Sequence, residues 1–101
     1  MKNVGHTLAS IRQRYGFSQK TIADKIGVSL DLVASIEKGR RQPSVPTLEK
    51  FEELFGIPNG VIAYLSSDLE AIKRSSKALA PLVDSTASAM WAAIDARATA
   101  K

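Results

Sequence analysis

Three cations, Lys38, Arg40 and Arg41, fall within four consecutive positions, and the polar side chains Ser29, Asp31 and Ser35 lie just ahead of them. Side chains of these types recognise anions and hydrogen-bonding edges; no nucleophile stands beside a base, and no glycine-rich loop is built to cradle a phosphate during reaction. Cysteine is absent and His6 is the single histidine. A disulfide framework and a thiolate metal site are therefore excluded, and one histidine cannot hold a metal alone, so no cofactor is expected. Residues 66–101 contain no histidine, cysteine or clustered acids, which makes an enzyme the least supported class.

The charge balance points the same way. The chain carries a formal net charge of +4 with an isoelectric point near 9.6. Residues 1–57 hold nine Lys and Arg against six Asp and Glu, whereas residues 58–101 hold five against four. Most of the excess thus sits in the first part, which favours a polyanionic partner; a solvated basic face is the plainer alternative.

The elements that must position these groups are legible from Ser18 to Gly39. Gln19 opens a short helix behind Ser18, a good N-cap, and Ile22, Ala23 and Ile26 make its buried face. Gly27 ends it, because glycine takes a left-handed conformation without steric cost. Ser29 caps the next helix, whose buried stripe is Val33 and Ile36, and the small Ala23 lets the two backbones approach. Upstream, Leu8, Ile11 and Tyr15 predict a helix over Thr7–Tyr15 stopped by Gly16. Downstream, Leu48, Phe51 and Leu54 or Phe55 predict one over Val45–Phe55 with Pro46 in its first turn. Pro58-Asn59-Gly60 starts a fifth, with Val61, Ile62 and Leu65 lidding the core.

This pattern resembles the helix-turn-helix of the lambda-repressor and Cro family, also called the xenobiotic-response-element type. The family's small residue falls at Ala23, its turn glycine at Gly27, its buried aliphatics at Val33 and Ile36, and its acidic-x-Gly ending at Glu37 and Gly39. The resemblance spans roughly His6 to Leu65 and agrees at several spaced positions, which makes it specific. It implies an all-α fold: a five-helix lambda-repressor-like DNA-binding domain over residues 1–65 with a C-terminal helical extension over 66–101. It also implies double-stranded DNA as the partner. Arg12 matches a family arginine that pairs with the acid at Glu37; two exposed charges are the alternative, and the neighbouring buried Ile36 favours the pair.

In such a motif the second helix enters the major groove while the first crosses the backbone. The resemblance therefore assigns base reading to Ser29, Leu30, Asp31, Ala34, Ser35 and Lys38, and phosphate contact to Gln19, Lys20, Arg40 and Arg41. Strong direct readout uses Arg, Lys, Asn or Gln, and only Lys38 qualifies. Asp31 can accept from cytosine or can simply stabilise the first turn of its helix. DNA shape and the spacing of a dimer are expected to supply part of the specificity.

From Ser66 the composition changes: residues 66–101 contain ten alanines, six serines and one aromatic. Ser67-Asp68-Leu69-Glu70 reads as a capping box for a sixth helix, Pro81 should end or kink it, and a seventh should run from about Leu82 to Ala98. Leu69, Ile72, Ser76, Leu79, Val83, Thr86, Met90 and Ala93 alternate by three and four, a weak seam interrupted by polar residues and Pro81. The expected role is homodimerisation through Leu79, Val83, Met90, Trp91 and Ile94. Packing on the chain's own domain is the alternative.

The opening MKNVGHTLAS has no apolar leader core, and the longest uninterrupted apolar run is Ala89 to Ile94, so a cytoplasmic protein without a membrane partner is expected. The resulting expectation is a transcriptional regulator, a repressor type, placing Ser29 to Lys38 in the major groove of a palindromic operator as a dimer. The alternative is a protein-interaction module, anti-activator or antitoxin-like, that meets a regulatory protein partner through the Leu30 and Leu32 face beside Val28.

Overall fold

The computed structural model describes residues 4–100 as seven helices: α1 (Val4–Tyr15), α2 (Gln19–Ile26), α3 (Leu30–Glu37), α4 (Val45–Phe55), α5 (Asn59–Leu65), α6 (Leu69–Ser75) and α7 (Ala80–Ala100). Three of them start the same way. Ser18, Ser29 and Ser44 are extended, and each hydroxyl accepts the amide N–H three residues on, from Thr21 at 3.0 Å, Leu32 at 3.0 Å and Thr47 at 3.2 Å. Each bond satisfies an amide that the helix itself cannot, an effect of about 1 kcal/mol per cap. Between α2 and α3 the chain reverses at Gly27, whose φ of 73° is open to glycine at no cost.

Packing follows the apolar spacing. Leu8 and Ile11 of α1, Ile22 of α2, Val33 and Ile36 of α3, Phe51 and Phe55 of α4, and Ile62 of α5 are fully buried in one cluster. The choice left open between Leu54 and Phe55 resolves in favour of Phe55, with Leu54 only partly buried. Helix α1 begins at Val4, ahead of the expected Thr7, because Val4 is itself buried.

One close approach sets where α1 crosses α3. A β-carbon on Gly5 would overlap the carbonyl oxygen and carbon of Ile36, so only glycine lets the backbones meet at that distance. The end of α3 therefore leans on the first turn of α1.

The extension packs back on the same core. Ile94 and Ala98 of α7 are buried in the cluster that holds Leu8 and Phe55, and Trp91 packs against it. Polar contacts reinforce the seat. The Arg14 guanidinium lies 4.0 Å over the Trp91 ring and 2.9 Å from Asp95. The Phe55 carbonyl, at the end of α4, accepts from both the Tyr15 hydroxyl at 2.6 Å and Arg97 Nε at 2.8 Å. Burial pushes the Tyr15 phenol pKa up and outweighs the lowering effect of the nearby Arg97, and this net rise keeps the hydroxyl protonated as a donor.

Two local expectations in the extension are corrected. The cap of α6 is Asp68, whose carboxylate accepts from the Ala71 amide at 3.0 Å, while the Ser67 hydroxyl donates back to Ala63 at 2.8 Å. A carboxylate facing helix amides outcompetes a hydroxyl that has a nearer carbonyl. Pro81 neither ends nor kinks α6. That helix stops at Ser75, Ser76 turns extended, and Pro81 sits in the first turn of α7, where its missing N–H is not needed. The three-four seam is thus divided between two helices that pack on each other, tied by Lys73 of α6 to Asp84 of α7 at 2.8 Å, while Glu70 one turn back on α6 shares the same ammonium at 3.1 Å.

Three substitutions test this packing. Ile94→Ala should destabilise the whole chain by about 2–5 kcal/mol in urea unfolding, the range for a buried aliphatic truncation, and a loss below ~0.5 kcal/mol would detach α7 from the core. Gly5→Ala should destabilise by about 1–3 kcal/mol. Gly60→Ala, with open space around the new carbon, should be neutral or stabilising by up to ~1 kcal/mol.

Candidate nucleic-acid interface

Helix α3 is short and divides cleanly. Val33 and Ile36 are buried, Leu30 and Asp31 are exposed, Ala34 and Ser35 are half-buried, and Lys38 is exposed at the C-cap. Residues 30, 31, 34, 35 and 38 lie one and two turns apart, so they form a single outward stripe opposite the core. Ser29, at the N-cap, is exposed with its hydroxyl already holding the Leu32 amide. Five of the six expected base readers therefore share the stripe, with Ser29 at its head.

What fixes the stripe in space is the carboxylate of Glu37. Arg12 of α1 grips it with two bonds, Nε to Oε2 at 2.7 Å and Nη2 to Oε1 at 3.0 Å, and gives its remaining Nη1 to the Phe17 carbonyl at 2.8 Å. Gln19, the first residue of α2, adds Nε2 to the same Oε1 at 2.9 Å. The pair expected from the resemblance is present, with side-chain exposures of 13% for Arg12 and 6% for Glu37. A bidentate guanidinium fixes orientation as well as distance, so α1 and α2 together set the rotation of α3.

Beyond α3 the backbone closes on itself. The amides of Arg40 and Arg41 both donate to the Ser35 carbonyl, at 2.9 Å and 3.3 Å, and Gly39 donates to Ile36 at 3.0 Å. The loop is anchored while its side chains stay in solvent. Among the described residues, Lys38, Arg40 and Arg41 have no ion pair, hydrogen bond or ring contact through their side chains. By contrast Arg12, Arg14, Lys20, Lys73 and Arg97 are all engaged within the chain. Three adjacent cations without partners among the described residues thus stand at the end of an exposed helical stripe, a concentration of positive potential.

The other expected phosphate contacts sit differently. The Gln19 side-chain amide is taken by Glu37, which leaves the backbone N–H groups at the start of α2 as its means of reaching an anion. Lys20 pairs with Asp24 at 3.3 Å, four residues on, and both side chains are about two-thirds or more exposed, so the pair is worth little and opens readily. The apolar face expected at Leu30, Leu32 and Val28 is corrected. Val28 and Leu32 pack against the core and only Leu30, 47% exposed, faces solvent, because a residue two positions from Leu30 points to the other side of a helix.

The five residues expected at a dimer contact are also divided. Val83 and Ile94 are buried within the chain, Trp91 and Met90 are half-buried, and Leu79 is 45% exposed beside Leu82 at 61%. Sequence reasoning missed His6, which lines a cleft at the end of α3; the contact is between residues more than thirty apart, and no local signal marks it. Among the described residues no three His, Cys, Asp or Glu gather to hold a metal ion, and no helix is long and apolar enough to cross a membrane.

Glu37→Ala should leave the Arg12 guanidinium without its counter-charge and destabilise by ~3–5 kcal/mol. Replacing both partners, Arg12→Met with Glu37→Leu, should recover most of that loss in the same denaturation measurement. A double variant whose loss equals the sum of two singles would show that the two groups do not interact.

Residues 8–58 match the family model described as helix-turn-helix. The chain is 34% identical over 56 residues to the uncharacterized HTH-type transcriptional regulator y4dJ of Sinorhizobium fredii, covering 55% of this chain and 73% of that protein. It is 32% identical over 53 residues to the HTH-type transcriptional regulator PuuR of Escherichia coli, covering 52% and 29%. It is 33% identical over 63 residues to the cryptic phage CTXphi transcriptional repressor RstR of Vibrio cholerae, covering 62% and 54%. The chain thus spans less than two thirds of the latter two relatives. No solved structure matches. The matched segment ends just before α5 and contains every residue of the α2–turn–α3 unit and its basic loop. With the glycine reversal, the serine caps and the outward stripe of α3 all inside that segment, the chain belongs to the helix-turn-helix family of the lambda-repressor and Cro type, a family of DNA-binding transcriptional regulators.

Proposed function

We propose that this chain is a transcriptional regulator that binds double-stranded DNA by laying α3 in the major groove. The observation that carries the reading is the set of free cations, Lys38, Arg40 and Arg41, placed directly after the exposed stripe of α3. Phosphates on one side of the groove meet Arg40 and Arg41, and those on the other meet the N-terminal amides of α2. Leu30 then reaches a thymine methyl, Ser35 a single hydrogen-bonding edge, and Asp31 either a cytosine amino group or the first turn of its own helix.

In its finer form the reading is a repressor that occupies an inverted repeat as two copies, with recognition helices ~34 Å apart. The likeness to RstR, a phage transcriptional repressor, supports repression as the outcome of binding. The exposed Leu79 and Leu82 supply apolar surface for the second copy, a role that Val83 and Ile94, buried in their own chain, are not free to take. The rival reading, a protein partner on the Leu30 and Leu32 face, is weakened by the inward packing of Leu32.

Arg40→Ala combined with Arg41→Ala should weaken binding to every duplex and flatten the salt dependence of affinity by up to ~2 in log–log slope. An unchanged slope would remove the loop from the interface. Ser35→Ala should instead change which base is preferred at one position, and an equal loss on specific and random duplexes would overturn that assignment.

A further inference from the structure

Between the first turn of α1 and the end of α3 lies an open cleft of about 430 Å³, room for a tetrahedral anion and several waters. His6, Lys38, Arg41 and Gln42 line it, with the backbone of Gly5 and Gly39 between them. The close approach of Gly5 to the Ile36 backbone fixes the two walls against each other. Glu37 also lines the cleft, but its carboxylate already accepts from Arg12 and Gln19. Its charge is therefore answered from behind, while Lys38 and Arg41 face the opening with no counter-charge among the described residues. Two cations without a counter-charge at the same cleft raise its positive potential, which favours an anion there.

We propose that this cleft binds a phosphate group, with Lys38 and Arg41 supplying charge and a ring N–H of His6 supplying a directed hydrogen bond. The phosphate is either one of the DNA backbone, which extends the interface past α3 onto α1, or that of a phosphorylated small molecule. Only the first source rests on the DNA-binding reading. An anchored wall supports both: the Arg41 amide is held by the Ser35 carbonyl at 3.3 Å and the Gly39 amide by Ile36 at 3.0 Å, so the backbone that carries the cations is fixed before the anion arrives while their side chains remain in solvent.

His6 is the chain's single histidine, so its imidazole signals in a nuclear magnetic resonance spectrum need no assignment by mutation. The full chain is titrated with a random-sequence duplex and, separately, with inorganic pyrophosphate. Saturable movement of the His6 ring signals with the duplex, lost in Lys38→Gln combined with Arg41→Gln, supports a backbone phosphate. His6→Gln should then lower duplex affinity about threefold to tenfold, the range of one net hydrogen bond. Movement with pyrophosphate, lost in the same double variant, supports a free phosphorylated ligand. Ring signals unmoved by a duplex that demonstrably binds, and unmoved by pyrophosphate, overturn the proposal, as does a pyrophosphate response that persists without Lys38 and Arg41. If no duplex binds at all, the DNA reading fails while the pyrophosphate titration still decides the cleft.

Discussion

A carboxylate at the end of α3 has to be matched wherever it is nine-tenths buried, and Glu37 is matched from two directions at once. Arg12 reaches it from α1 with two bonds and Gln19 reaches it from the start of α2 with one. Three helices thereby share one charged centre. Such a pair adds little net stability over a well-packed apolar substitute, but it restricts geometry in a way that apolar contacts do not. Rotating α3 by even part of a turn would break the bidentate grip on one side and lose the Gln19 bond on the other. The outward stripe of residues 30, 31, 34, 35 and 38 keeps its direction for that reason.

Much of this was legible before the structure because it is local. Apolar residues recurring at three and four give Val45–Phe55, and together with the serine caps Ser18 and Ser29 they give the α2–Gly27–α3 unit from spacing alone. The same local rules failed where two choices competed within a residue or two. Asp68 displaces Ser67 as a cap because its carboxylate answers both the amides and the helix dipole, and Pro81, expected to end or kink the sixth helix, sits in the first turn of the seventh. Leu32 looked exposed beside Leu30 although the helical period turns it inward.

The extension shows the other limit. An alanine-rich helix with a weak apolar seam gives no sign of which surface it will cover. Here α7 lies on α1 and the end of α4, where Trp91 meets Arg14, and Arg97 shares the Phe55 carbonyl with Tyr15. None of these contacts is between residues close in sequence. The same holds for Gly5 under Ile36 and for His6 and Arg41 lining one cleft, both of which need the fold before they mean anything. Long-range pairing of this kind leaves no periodicity behind, which is why the recognition unit was readable and its supports were not.

Function follows from the way charge is left over. Among the described residues Arg12, Arg14, Lys20, Lys73 and Arg97 are answered within the chain, and three unpartnered cations stand side by side at the end of the exposed helix. The most direct test is selection of bound duplexes from a random pool by the full chain, followed by the affinity of the recovered sequences across a range of salt. The account predicts enrichment of a defined sequence, arranged as an inverted repeat, whose affinity falls steeply as salt rises. Failure of folded protein to enrich any sequence, or an affinity indifferent to salt, would contradict it.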